Sequence, residues 1–463
     1  MNVTSLASIP IRRFFPAKFR RAGLLFGSIC IYRLLLDWIY FNALWWKDYP
    51  DQRARYGVYG LIASWLLLIL TFPLFDRIVD KSERDSSVLV TLLYLLSFVP
   101  FTTMVYAGAF IEELVLANFI LWIVMLSAEL FSLESDIKPF PTLKLGSFRL
   151  DDRLILMIGC ITSAGVVYVS WRYTNFRLWW DLTDVYGIRA EARGYNLSFF
   201  LEYVMWSGRM IHPFLLVYFF MKRRYLLSIL VFGVQILSFG IAAHKSEFFM
   251  PYALALMLWF RSTMSGRTLK YFIVAGAISF TLISIVQAVY FDNNLLIVMF
   301  VRRMLFVPNR LQVGYYDYLV TRSHELEYMR SGTLLYFLKP FGVENPYAPP
   351  NGIAYIIGNL YDGHPLEHAN NGMLSDAVLQ FGRAGVLVVP VIWVFIMRML
   401  DRSTEGMPKH FKGLGTAVTI MFTTSMVSST FTTVRINTLL CIVFLYIINT
   451  SNREKSSHRL KPH

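Results

Sequence analysis

Read for the alternation of apolar and polar stretches, the chain divides into twelve apolar runs, at about 22–43, 57–75, 88–108, 112–133, 154–171, 197–220, 225–243, 247–260, 271–291, 373–397, 413–430 and 434–449. Crossing a bilayer as a helix takes about 20 predominantly apolar residues, so each run is a predicted span, the eighth being short enough to be tilted, broken or re-entrant. One long interruption stands out, residues 292–372. It opens on an apolar stretch, Leu295–Val307, that carries Arg302 and Arg303 near its end. That stretch is too short to span and too apolar to lie free in water, which predicts an interfacial or re-entrant helix. The aromatic VGYYDYL, the amphipathic GTLLYFLKPFGV, the proline-rich NPYAPPNG and the polar YDGHPLEHANNG follow before the next span.

Composition agrees with the pattern. With 56% hydrophobic and 16% charged residues and a mean hydropathy of +0.49 over 463 residues, the chain has too much apolar surface for one water-soluble core. It is predicted to be an all-α, polytopic membrane protein forming one domain, 1–463. Lys and Arg set the orientation, because short cytoplasmic loops are enriched in them. Placing the N-terminus inside puts more than half of the 44 basic residues in inner segments. Both termini are then cytoplasmic, and the loops 172–196 and 292–372 share the opposite side. The basic N-terminal arm has no short apolar core followed by a small-residue cleavage site and is read as retained. The formal charge of +14 is scattered over short loops, which fits anionic lipid headgroups and gives no reason to expect nucleic acid. Cys30, Cys160 and Cys441 lie far apart in apolar runs, without CxxC or neighbouring His, so no disulfide framework or zinc site is indicated. No GxxxxGK[ST], GxGxxG after a strand or fixed-period repeat occurs.

The candidate chemistry lies in the outer loops. In the first, Arg172, Arg177, Arg189 and Arg193 alternate with Trp171, Tyr173, Trp179, Trp180, Tyr186 and Tyr195. Guanidinium forks suit phosphate oxygens, and Arg189 and Arg193, four apart, would share a helix face. The aromatics fit either an interfacial belt or platforms for sugar rings. In the second loop Arg302, Arg303 and Arg310 are candidates for an anion, against the alternative of arginines reaching for headgroups. Asp317, Glu367 and His368 are candidate bases. HxxxH at His364 and His368 is weak as a metal motif beside Pro365 and the following Asn-Asn-Gly. Inside the spans Arg33 and Asp37 are four apart, and Glu202 and Arg209, like Asp376 and Arg383, are seven apart; each pair is expected on one helix face. These read as mainly structural pairs, with Arg209 the exception that could reach substrate. Lys245, in the AHKSEFF hairpin, could meet a lipid phosphate or simply belong to a polar turn.

Three stretches carry a family resemblance: RAEARGYN (Arg189–Asn196), VRRMLFVP (Val301–Pro308) and HANNGMLSDAVLQFGRAGVL (His368–Leu387). With the topology, they resemble the O-antigen polymerases, the oligosaccharide repeat-unit polymerases of the bacterial inner membrane. The resemblance implies a fold like that of the lipid-carrier-dependent glycosyltransferases of the C type, with about twelve transmembrane helices and short amphipathic helices in a large periplasmic loop. It implies an enzyme that needs no metal or other cofactor and transfers a glycan from undecaprenyl diphosphate onto the terminal sugar of a new lipid-linked repeat unit. Its partners would be that lipid-linked oligosaccharide as donor and acceptor, membrane lipids, and a flippase and chain-length regulator of the same pathway. Under this reading Arg189, Arg193, Arg302 and Arg303, then Arg310 and Arg209, meet the diphosphate, and His368, Glu367 or Asp317 accepts the acceptor proton. An O-antigen ligase would share the topology and chemistry. A lipid-glycan flippase is disfavoured by the long one-sided loop and the lack of repeated halves, and a membrane acyltransferase would have only His212 as a catalytic candidate.

Overall fold

A computed structural model of the chain describes residues 17–44, 57–81, 83–108, 111–135, 152–178, 187–188, 191–192, 194–242, 245–324, 352–363, 369, 372–407, 411–428 and 439–449. Among them the protein is all-helical, without strands. The first nine helices are α1 Ala17–Ile39, α2 Val58–Lys81, α3 Asp85–Tyr106, α4 Glu112–Glu134, α5 Asp152–Val169, α6 Phe199–Met221, α7 Tyr225–Ala242, α8 Lys245–Thr263 and α9 Gly266–Tyr290. After the interrupted region come α10 Val307–Tyr316, α11 Ile353–Asp362, α12 Met373–Phe381, α13 Gly385–Thr404, α14 Lys412–Ser428 and α15 Leu439–Asn449.

Among the described residues nine elements are long and apolar enough to cross a membrane: α1 to α7, α9, and the α12–α13 pair. The protein is therefore a multi-pass membrane protein. Helices suit that setting because each satisfies its own backbone groups. The other three predicted runs overlap α8, α14 and α15, and residues 429–438 lie outside the described residues. The termini, 1–16 and 450–463, lie outside the described residues.

Helix α3 is the axis of packing, 89% of its span being enclosed. Its small hydroxyl residues Ser86, Ser87, Thr91, Thr102 and Thr103 are all buried, and small residues let helices approach closely without leaving voids. Around it Tyr94 stacks on Phe75 of α2 at 4.1 Å and meets Trp122 of α4 edge-on at 5.8 Å. Arg33 of α1 is fully buried, yet its guanidinium is satisfied: 2.8 Å to Asp37, 3.0 Å to Thr102 Oγ1 and 3.4 Å to Ser64 Oγ. The expected Arg33–Asp37 pair thus pins α1 to α2 and α3. At the other extreme, α9 is only 17% enclosed, and residues such as Ile283 and Val289 stand exposed where lipid would cover them.

The expected span 373–397 is two helices. Gly382 adopts φ 57°, ψ −149°, open essentially to glycine alone, and a Cβ on Gly385 would collide with the Ala377 carbonyl. The chain therefore jogs between α12 and α13. Asp376 and Arg383 do not share a helix face, contrary to expectation; Arg383 reaches Glu113 at the start of α4, 3.4 Å away.

Candidate functional site

After α9 the chain turns at Asp292, in the left-handed region at φ 46°. Asn293 Oδ1 accepts from Leu295 N–H at 2.8 Å and Gln287 Oε1 from Leu296 N–H at 3.0 Å. Two acceptors thus take up N–H groups orphaned at the start of a helix. The next ten residues, Ile297–Phe306, form a π-helix that includes Arg302 and Arg303. Such helices are rare and usually single turns, and they gather at functional positions. Pro308 follows in the first turn of α10 and has no N–H to offer the turn before it. A second π-turn, Asp317–Thr321, closes the segment.

This segment is seated inside the helical body. Asn309 and Gln312, 1% and 2% exposed, are its anchors. Asn309 Nδ2 donates to Ser97 O of α3 at 3.1 Å and to Leu305 O at 2.8 Å. Gln312 Oε1 accepts from Asn118 Nδ2 of α4 at 2.9 Å, and its Nε2 donates to Asn309 Oδ1 at 3.2 Å. Ser97 lies nine residues from the Tyr106 end of α3, which at 1.5 Å per residue is about 13 Å below that end. The expected apolar helix is thus packed against α3 and α4. A carboxamide network is a fitting anchor there, since it ties the segment to α3 and α4 without bringing in charge.

Above the anchors four residues meet. Tyr361 Oη donates to Asp317 Oδ2 in a short hydrogen bond, Arg322 Nε lies 3.1 Å from the same oxygen, and Arg310 Nη2 donates to the Tyr361 carbonyl at 3.4 Å. The Arg322 guanidinium sits over the Tyr361 ring, 5.9 Å from its centre. Helix α11 reaches this position because Gly314 leaves room: a Cβ there would be 3.0 Å from the Tyr361 ring. The chain after α11 is tied back by Ala369 N–H to Ala354 O at 3.0 Å and by Tyr315 Oη to Ala369 O at 2.9 Å. Burial, then the hydrogen bond to Asp317, raises the Tyr361 hydroxyl above the ordinary phenol range, so it stays protonated and donating. Both contacts to Asp317 fall on Oδ2. The side chain is 28% exposed, and among the described residues Oδ1 is left to receive a further donor.

The structure thus brings Asp317 and Arg310 together through Tyr361, on the segment that also holds half-buried Arg302 and exposed Arg303. Arg189, Arg193, Glu367 and His368, with His364, lie outside the described residues, as does the side chain of Lys245. Arg209 does not pair with Glu202. Its Nε is 2.7 Å from Glu247 Oε1, and Glu247 also accepts from Ser238 Oγ at 2.8 Å. Glu247 is the better partner because it is buried between α7 and α8 and needs a cation, whereas seven residues along one helix put Glu202 about 10 Å from Arg209. In the first loop Arg177 meets Glu191 at 2.7 Å, and Tyr195 Oη donates to the same carboxylate at 2.7 Å. Those two hydrogen bonds hold Glu191 below the usual carboxylate range. Sequence reasoning missed Tyr361, Arg322, Asn309 and Gln312. The five-residue spacing of Asp317 and Arg322, which matches a π-turn and not an α-turn, was the one local signal.

Among the described residues no group of three or more His, Cys, Asp or Glu is placed to hold a metal ion. The chain matches no protein-family profile, no curated protein and no solved structure.

Proposed function

We propose that the protein is a lipid-carrier-dependent glycosyltransferase that polymerises undecaprenyl-diphosphate-linked repeat units into O-antigen or a related surface polysaccharide. On this reading it sits in the bacterial inner membrane with twelve spans, and the end that carries Asp317 faces the periplasm. The observation that supports it best is the segment Ile297–Thr321, seated in the helical body, which carries the Arg302–Arg303 pair in its first part and, in its last, a carboxylate held by Tyr361 and Arg322. A substrate with an apolar tail, a diphosphate and a sugar needs apolar, cationic and proton-accepting surroundings, and these residue types supply all three.

In the proposed reaction the acceptor hydroxyl attacks the anomeric carbon of the donor. The new C–O bond forms as the bond to diphosphate breaks, and the leaving diphosphate takes the electron pair. Arg302, Arg303 and Arg310, with Arg189 and Arg193, stabilise the charge growing on it. The hydroxyl proton passes to a base. Asp317 Oδ1 fits that role, since Tyr361 and Arg322 fix the carboxylate through its other oxygen; His368 and Glu367 are the alternatives. Arg209, neutralised by Glu247, is assigned a structural part. A ligase moving finished glycan to a lipid core uses the same chemistry and stands as the second reading.

Glycan length separates them. In a deletion strain, a polymerase defect leaves single capped repeats and a ligase defect leaves none attached. Complementation with Arg302→Ala, Arg303→Ala, Asp317→Asn or His368→Ala, each with expression verified, should fail to restore the ladder for the clamp arginines and for the true base. An unchanged ladder on deletion sinks the polymerase reading.

A further inference from the structure

The opposite end of the bundle holds a feature that the proposed reaction does not use. A cavity of about 240 Å³ lies where the ends of α3, α8, α13 and α14 converge, and five cationic side chains line it: Arg84, Arg261, Arg398, Arg402 and Lys412. It is roughly one length of α3, about 33 Å, from the Tyr106 end of that helix.

Four carboxylates share the wall, one fewer than the cations. Asp401 accepts from Ser86 N–H at 2.9 Å and Ser86 Oγ at 2.7 Å, so it caps the start of α3. Asp85 accepts from Thr416 Oγ1 at 3.3 Å and is 5% exposed. Glu83 and Glu405 also line the cavity. Arg261 and Lys412 feel the charge of Asp85. Yet neither they nor Arg402 comes within ion-pair distance of a carboxylate among the described residues, and Arg261 Nε is buried with no hydrogen-bond partner there. Cations delivered by separate helix ends into one half-buried cavity repel each other and are costly to desolvate unless an anion bridges them. The N-termini of α3 and α14 add their positive ends to the same space.

We propose that this cavity binds a phosphate-bearing anion, either the headgroup of an anionic lipid or a soluble phosphate compound. A phosphate group offers oxygens in several directions, so it can meet guanidinium groups on different helices at once, which the two oxygens of a carboxylate cannot. The volume is many times what one water needs and leaves room for a diphosphate or a phosphodiester with its glycerol. The site would hold four helix ends together, and it does not depend on the glycan chemistry proposed for the other end.

The test uses the purified full-length protein in nanodiscs, with thermal unfolding and native mass spectrometry as readouts. One arm titrates inorganic pyrophosphate into phosphatidylcholine nanodiscs; the other replaces phosphatidylcholine with phosphatidylglycerol. Stabilisation by pyrophosphate assigns a soluble ligand, and stabilisation by phosphatidylglycerol with retained lipid in the mass spectrum assigns a headgroup. Either response should weaken about tenfold or more in apparent affinity when one direct contact is removed, as in Arg402→Gln or Arg261→Gln, and vanish in the double variant. Should the double variant fail to fold, Arg402→Gln and Lys412→Gln are read singly. No response in either arm, or wild-type affinity in these variants, overturns the proposal.

Discussion

Two arginine–carboxylate pairs in this protein look alike in sequence and differ in every physical respect. Arg33–Asp37 is buried, and α2 and α3 take up the rest of its guanidinium through Ser64 and Thr102. Arg322–Asp317 is half open: the arginine is 52% exposed, and the carboxylate is bonded on one oxygen only. A pair closed on all sides holds helices together, whereas a pair with one oxygen to spare and an exposed partner can take part in chemistry. Spacing of four or five residues does not distinguish them; burial and the completeness of hydrogen bonding do.

That contrast can be broken by experiment. Arg33→Ala leaves Asp37 buried without its cation and should cost about 3–5 kcal/mol, read as lost folded yield or a lowered unfolding temperature in detergent; a well-folded variant with wild-type stability would end the structural assignment. Asp317→Asn should do the reverse. Its ion pair is exposed and worth under about 1 kcal/mol, so stability should hold, while glycan polymerisation falls by about 10²–10⁴-fold if Asp317 is the base; near-wild-type ladders would move that role to His368 or Glu367. Gln312→Ala strips partners from Asn118 and Asn309 and should destabilise by about 1–3 kcal/mol, with hydrogen exchange rising first across 297–321; exchange rising elsewhere instead would mean that the segment has another anchor.

The smallest effect concerns Glu191. Its folded pKa is depressed by hydrogen bonds from Arg177 and Tyr195, so its contribution is full above the ordinary glutamate value of about 4.3 and is lost as pH falls through the lower folded value. The carboxylate is 44% exposed, which limits the effect to under about 0.5 kcal/mol. Hydrogen-exchange protection around Glu191–Tyr195 should therefore drop on acidification in wild type, and Arg177→Gln should flatten the change.

Much of the fold was legible because apolar length is a strong signal. Among the described residues each of the twelve runs overlaps helix, nine elements are long and apolar enough to span, and the run 373–397 is broken in two; the interruption at 292–372 was recognisable from Arg302 and Arg303 within an apolar stretch. Partner choice was not legible. Glu247 is 38 residues from Arg209, and Tyr361 is 44 from Asp317, and periodicity says which face a residue occupies but not what stands opposite. The break at Gly382 was hidden because glycine is common in membrane spans and only its φ, ψ values reveal the jog. Asn309 and Gln312 passed unnoticed because uncharged amides make no pattern of their own.

Helix α3 also has a history written into its surroundings. It is apolar enough to enter a bilayer unaided, yet 89% of it ends enclosed by protein, and the carboxylate that caps its first turn arrives 315 residues later in the chain. During synthesis α2 can pack on it early, but the faces that α13 and α14 cover must first meet lipid. They then exchange that coat for protein once α12 to α14 have been made. Assembly of the body is consequently late, and a chain released before α13 has every early span in place and no finished centre.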